Sequence, residues 1–120
     1  MTLQDTLEIS AIKLTFIYHK SKYKCELIKA LNLIISVIDD LTDLDYINTT
    51  LYKSDFTHND FIDIKLEANE IIELLNRSEC ALLVIKKKLK KRYPEYRVIE
   101  RGISNIREIK DILALLFLID

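Results

Sequence analysis

Hydrolysis and group transfer need a nucleophile held beside a base, and the side chains best suited to those roles are scarce in this chain. His19 and His58 are the only histidines, and Cys25 and Cys80 the only cysteines. There is one glycine, Gly102, and one proline, Pro94, in 120 residues. A phosphate-cradling loop or a nucleophile elbow needs glycine where the backbone turns sharply, so neither can be built here. The chain has no Gly-x-Ser-x-Gly, His-Glu-x-x-His, Cys-x-x-Cys or Gly-x-x-x-x-Gly-Lys pattern, and it lacks the Glu-x-x-His of dimetal carboxylate bundles. No enzymatic activity is expected.

Metal chemistry is tested by the acids. Asp39, Asp40, Asp43 and Asp45 precede a polar stretch and His58, Asp60 and Asp63 follow it, so oxygen and imidazole ligands could converge there. A calcium loop of the EF-hand type needs glycine at its sixth position and glutamate at its twelfth, and no register among these aspartates supplies both. Neither metal nor cofactor is expected. Cys25 and Cys80 sit in apolar contexts, KCELIKAL and ECALLVI, which reads as two buried thiols in a reducing compartment rather than a disulfide. Every arginine lies at 77 or later, after both histidines, which removes the Arg-then-His order of HEPN-type helical ribonucleases.

The positive signal is charge segregation. From 39 to 73 ten acids stand against Lys53 and Lys65, a net charge of −8; from 77 to 110 eleven bases stand against four acids, a net charge of +7. The overall net charge of −1 conceals this separation. Asp60, Asp63, Glu67 and Glu70 recur at spacings of three and four, so on a helix they share one edge. Like charges so placed cost about 0.2–0.5 kcal/mol per pair in an isolated helix, a cost that a cation outside the helix would offset. Either a lysine-rich neighbouring helix neutralises the edge within the fold, or a basic partner does so from outside. The candidate partner-binding face comprises Asp39, Asp40, Asp43, Asp45, Asp60, Asp63, Glu67, Glu70 and Glu73. The alternative basic patch is Lys86, Lys87, Lys88, Lys90, Lys91 and Arg92, which also reads as the solvated last turns of a helix stopping before Pro94.

With so little Gly and Pro, the elements that position these charges are helices. An all-α, single-domain bundle of about five helices over residues 1–120 is expected. Leu3, Leu7, Ala11, Leu14 and Tyr18 make one buried stripe, and Leu27, Leu31, Ile34, Ile38 and Leu41, flanked by Ile28 and Ile35, make a second. A helix continuous from 3 to 41 would run about 58 Å, too long for a compact fold of this size, so a break is placed at HKSKYK (19–24) with Ser21 as the cap. Residues 42–57, rich in Thr, Asp, Asn and Ser, read as a non-helical connection. Thr57 caps a third helix with the stripe Phe61, Ile64, Ala68, Ile71 and Leu75. Asn76 and Ser78 offer a break before a helix carrying Leu82, Ile85, Leu89 and Tyr93. Gly102 is read as a hinge, and Ser104 as the cap of a last helix using Ile106, Ile109, Leu113, Leu116 and Phe117. That helix is apolar on nearly all sides at its end and is expected to run through the middle of the bundle.

No apolar run approaches the roughly 20 residues a membrane-spanning helix needs. The first eighteen residues carry Asp5 and Glu8 and lack the order of a signal peptide, so a cytoplasmic protein is expected. Abundant Ile, Lys, Asp, Asn and Tyr beside scarce Ala, Gly, Pro and Arg suit an A+T-rich coding sequence. Together these features suggest a small non-enzymatic binding protein. The leading expectation is an immunity-protein or antitoxin-type inhibitor that lays its acidic face over one basic protein, such as a nuclease toxin. One alternative is a helical adaptor, chaperone or host-modulating protein with an apolar patch around Tyr46–Phe56 or the last helix. The other is a nucleic-acid-binding regulator using the lysine-rich helix. Nucleic acid is the less favoured partner and a membrane is not expected.

Overall fold

The computed structural model describes residues 2–51 and 58–118, and the side chains of 2–44 and 62–117. Four α-helices account for nearly all of the described chain, and no strand occurs among these residues. They are α1 (Leu3–Tyr18), α2 (Lys24–Leu51), α3 (His58–Lys88) and α4 (Pro94–Leu113), the last running on into a π-helical segment, Ala114–Leu118. The class is all-α as expected, with four α-helices among the described residues where about five were expected.

Each helix packs on its two neighbours in the order α1, α2, α3, α4 and back to α1, while α1–α3 and α2–α4 lie across the diagonals. Residue pairings make every adjacent pair antiparallel. Ser10 meets Asn105, Lys88 meets Glu26, Lys86 meets Glu100 and Lys110 meets Asn76, and Leu3 at the start of α1 lines one depression with Leu41 and Leu44 far along α2. The result is an up-down-up-down bundle measuring 53 × 23 × 22 Å, the arrangement short connections favour. Its core is a column of aliphatic side chains that includes Leu7, Leu14, Leu27, Ile34, Ile71, Leu75, Leu82, Ile85, Ile99 and Ile106.

The periodic stripes fold largely as read, with Leu3, Ala11, Tyr18 and Ile38 partly buried against the core, the flanking Ile28 and Ile35 exposed, and the side chain of Phe61 outside the described set. Leu7 and Leu14 of α1, Leu27, Leu31, Ile34 and Leu41 of α2, and Ile64, Ala68, Ile71 and Leu75 of α3 are all buried. Thr2 starts α1 with a full capping box: its hydroxyl accepts from the Asp5 amide at 3.1 Å, and its own amide donates to the Asp5 carboxylate at 3.2 Å. The break between α1 and α2 falls where HKSKYK places it. Ser21 does not cap α2, however. Buried in the connection, it accepts from the Tyr23 amide and donates to the Glu95 carboxylate, tying the α1–α2 turn to the first turn of α4.

Most departures from expectation have one cause, which is that packing kept a helix going through residues that favour ends. Residues 42–51 are helical rather than a connection, because Leu44 extends the stripe of Leu41 into the core and Thr42 satisfies its hydroxyl on the Ile38 carbonyl at 3.0 Å. The rest of the expected connection, and Thr57, lie outside the described residues. Asn76 and Ser78 do not divide α3. Ser78 is fully buried and donates to the Leu75 carbonyl, while Asn76 accepts from Lys110 of α4.

Likewise Gly102 is no hinge and Ser104 no cap, since α4 is continuous from Pro94, which occupies its first turn. Gly102 is buried where α4 crosses α1 and α3. A Cβ there would meet only Leu82 Cδ1 at 3.5 Å and Leu14 Cδ1 at 3.9 Å. The C-terminal apolar run does not thread the middle of the bundle. Leu113 is buried, but Leu115 and Leu116 point to solvent, because the π-helical segment turns only part of its surface inward. Tyr93, expected on the core face, is exposed in the α3–α4 connection. Cys25 and Cys80 are exposed, not buried, because each lies a step off its helix's apolar stripe.

These contacts set a direct expectation. Gly102→Ala places its methyl at ordinary van der Waals distance and removes the backbone-entropy cost of glycine inside a helix. It should therefore stabilise the protein by about 0.5–1 kcal/mol in urea unfolding. Gly102→Leu should instead destabilise by overpacking against Leu82 and Leu14.

Candidate functional site

The nine acids read from sequence divide between two helices. Asp39, Asp40, Asp43 and Asp45 lie on α2, and Asp60, Asp63, Glu67, Glu70 and Glu73 lie on α3. The side chains of Asp45 and Asp60 are outside the described set. Because α2 and α3 are antiparallel, Asp40 and Asp43 come beside Glu67 and Glu70 across the seam between the helices. Asp39, Asp43, Asp63, Glu70 and Glu73 are exposed, whereas Asp40 and Glu67 are half-buried at the seam.

The electrostatic consequence is repulsive. Burial raises the Asp40 carboxyl above its ordinary value, and Asp43, Asp39 and Glu70 push it in the same direction. Glu67 is raised first by burial and then by Asp40, Glu70 and Asp43. A neutralising lysine helix, one of the two compensations considered above, is not what the fold provides. The lysines at 86–88 are on the same helix as the glutamates. Lys88 is 21 positions beyond Glu67, about 30 Å at 1.5 Å per residue. The ion pairs Lys86–Glu100 (3.7 Å), Lys88–Glu26 (3.9 Å), Arg107–Glu79 (3.5 Å) and Lys110–Glu79 (2.8 Å) join bases to other acids.

The acids also frame something that sequence reasoning missed. A shallow depression of about 470 Å³ is lined by Asp40, Glu70 and Glu73 together with Leu66, Asn69 and Leu74. Leu66 is 56% exposed, and Ile62, one turn earlier, is 43% exposed. The signal was present in the sequence: Ile62 and Leu66 are four apart, off the stripe of Ile64, Ala68 and Ile71, and so fall on the outer face.

The basic patch lies at the other end of the molecule. Lys87, Lys88, Lys90, Lys91 and Arg92 are exposed, and Lys86 is half-buried with its ammonium 5.8 Å from the centre of the Tyr96 ring. The apolar patch considered at Tyr46–Phe56 falls outside the described side chains, and of the last helix's apolar run Leu115 and Leu116 are exposed. His58 also lies outside them, and among the described residues no three His, Cys, Asp or Glu side chains are grouped to hold a metal ion. Among the same residues no helix is long and apolar enough to cross a membrane.

No protein-family model, no curated protein and no solved structure matches this chain. The site therefore has to be interpreted from its own chemistry.

The raised carboxyls fix the sign of a pH effect. A folded state that holds protons more tightly than the unfolded chain loses stability as pH rises through the carboxylate range, the reverse of an acid in a salt bridge. Asp40→Asn combined with Glu67→Gln should raise stability at neutral pH and low salt by about 0.5 kcal/mol. In thermal melts that gain should shrink near pH 3, where the carboxyls of both states are protonated, and at about 1 M salt, where screening removes the repulsion.

Proposed function

We propose that this protein is a stoichiometric binding protein whose acidic depression docks a basic protein, in the manner of an immunity protein or antitoxin that covers a cationic enzyme such as a nuclease toxin. The observation that carries the reading is the pairing of an exposed apolar centre, Leu66 with Ile62, and a rim of mutually repelling acids drawn from two helices. Interfaces are built this way, with an apolar anchor that loses water and a charged rim that steers and selects. The intramolecular repulsion adds to the case, because a cationic surface relieves it on binding.

Charge steering and apolar anchoring give separable expectations. Replacing Asp63, Glu67 and Glu70 together by Lys should abolish capture of a basic protein that the wild type retains at one-to-one stoichiometry, and should abolish inhibition of that protein's activity. Raising salt should slow association with the wild type without abolishing the complex. Leu66→Ala should weaken the complex roughly tenfold, about 1.4 kcal/mol, through faster dissociation. Equal capture of one partner by wild type and the triple variant in a salt-graded binding assay would remove the acidic face from consideration.

A further inference from the structure

We infer that the end of the bundle opposite the acids is a binding site for single-stranded nucleic acid, formed jointly by the α1–α2 and α3–α4 connections. From sequence, nucleic acid is weighed as a partner for the basic residues at 86–92 alone, and HKSKYK reads as a polar break. The fold brings them together. Lys20 and Lys22 of the α1–α2 connection, with Lys24 at the start of α2, come from one side, and Lys86, Lys87 and Lys88 at the end of α3, with Lys90, Lys91 and Arg92 of the α3–α4 connection, from the other. Lys88 of α3 lies 3.9 Å from Glu26 of α2 and 5.5 Å from the centre of the Tyr23 ring, which fixes the two segments side by side.

Between them is a pocket of about 380 Å³ with Lys20, Lys22, Lys88 and Lys90 around it and the rings of Tyr23 and Tyr93 in its wall. Three acids stand near the nine cations, and each is engaged. Glu26 faces Lys88, Glu100 faces Lys86, and Glu95, which also lines the pocket, accepts from the Ser21 hydroxyl. Among the described residues Lys20, Lys22, Lys87, Lys90 and Lys91 form no ion pair.

The aromatic content selects among anions. Four of the six tyrosines gather at this end, each with a cation near its ring: Lys24 at Tyr18 (5.8 Å), Lys88 at Tyr23 (5.5 Å), Arg92 at Tyr93 (5.4 Å) and Lys86 at Tyr96 (5.8 Å). Tyr96 is buried and holds Lys86 in place, Tyr18 and Tyr23 are half-buried, and Tyr93 is exposed. Tyr93 is therefore the ring best placed for a base to stack on while the cations track the phosphate chain, the combination that binds single strands. A duplex hides its base faces from such rings. A bilayer presents phosphates without base faces to stack on a ring. Backbone contacts and stacking carry little base preference, so RNA and DNA strands are both ligands of this class.

The test uses the full chain and a labelled single strand of about ten nucleotides, followed by fluorescence anisotropy across a salt series. Binding should weaken with salt by a logarithmic slope of about 0.7 for each phosphate contacted. Lys20→Ala with Lys22→Ala, and separately Lys88→Ala with Lys90→Ala, should each lower the slope by about 1–1.5. Tyr93→Leu should reduce affinity about 5- to 160-fold and leave the slope unchanged. These side chains are at least partly solvent-exposed, and unchanged thermal melts verify that the variants fold. Failure to bind at low salt would overturn the inference. So would binding to duplex or to phosphatidylserine vesicles as tight as to the strand, or indifference to the Lys20 and Lys22 changes. The inference is independent of the acidic depression, because the Asp63, Glu67 and Glu70 to Lys variant should keep the strand while losing the basic protein.

Discussion

The seam between α2 and α3 is the contact on which the remainder of the molecule depends. These are the two longest helices, 28 and 31 residues, and each carries one apolar stripe along most of its length. Burying both stripes at once requires the helices to lie antiparallel and to run most of the 53 Å axis. α1 and α4 then cover what the pair leaves open, with Leu14 and Leu82 meeting over Gly102, the one position on α4 without a side chain in the way. The same alignment determines which charges meet. Asp40 and Glu67 flank the seam because the apolar residues beside them are in it, so their repulsion is a consequence of the packing that holds the fold together.

An uninterrupted α3 also gives the molecule its polarity. Had the helix broken near 76–79, its lysine-rich half could have folded back over its glutamate-rich half and cancelled it. Kept straight, it holds the two about 30 Å apart, several times the Debye length of roughly 8 Å at physiological salt. Each end therefore presents its own field to the solvent despite a net charge of −1. A small bundle can in this way offer partners of opposite charge two surfaces that do not interfere.

Polar residues inside the helices set the alignment of the bundle rather than the ends of its elements. Asn105 donates to Ser10 at 2.9 Å across α4 and α1, and Lys110 reaches both Asn76 and Glu79 at 2.8 Å across α4 and α3. An aliphatic column of Leu and Ile accepts several offsets of one helix against the next. A shift by one turn would leave these partly buried polar groups without partners, which costs more than the bonds themselves contribute.

Helix content, the α1–α2 break and most core positions were legible because amphipathic periodicity is a local property: Leu7 and Leu14, or Ile64 and Ile71, share a face whatever surrounds them. The charge segregation was legible for the same reason. Helix ends were not, because Thr42, Asn76, Ser78, Gly102 and Ser104 each have a local preference that a buried neighbour overrode. Leu44 held α2 together, and the contacts of Ser78 and Asn76 carried α3 through its expected break. The acidic edge of α3 could be read from residue spacing, but its union with Asp40 and Asp43 could not. Nor could the meeting of Lys20 and Lys22 with Lys88 and Lys90, residues some 66 positions apart in the chain. Composition and period specify what each helix shows on its faces, while which faces meet depends on the antiparallel register, an outcome of long-range packing that no local window contains.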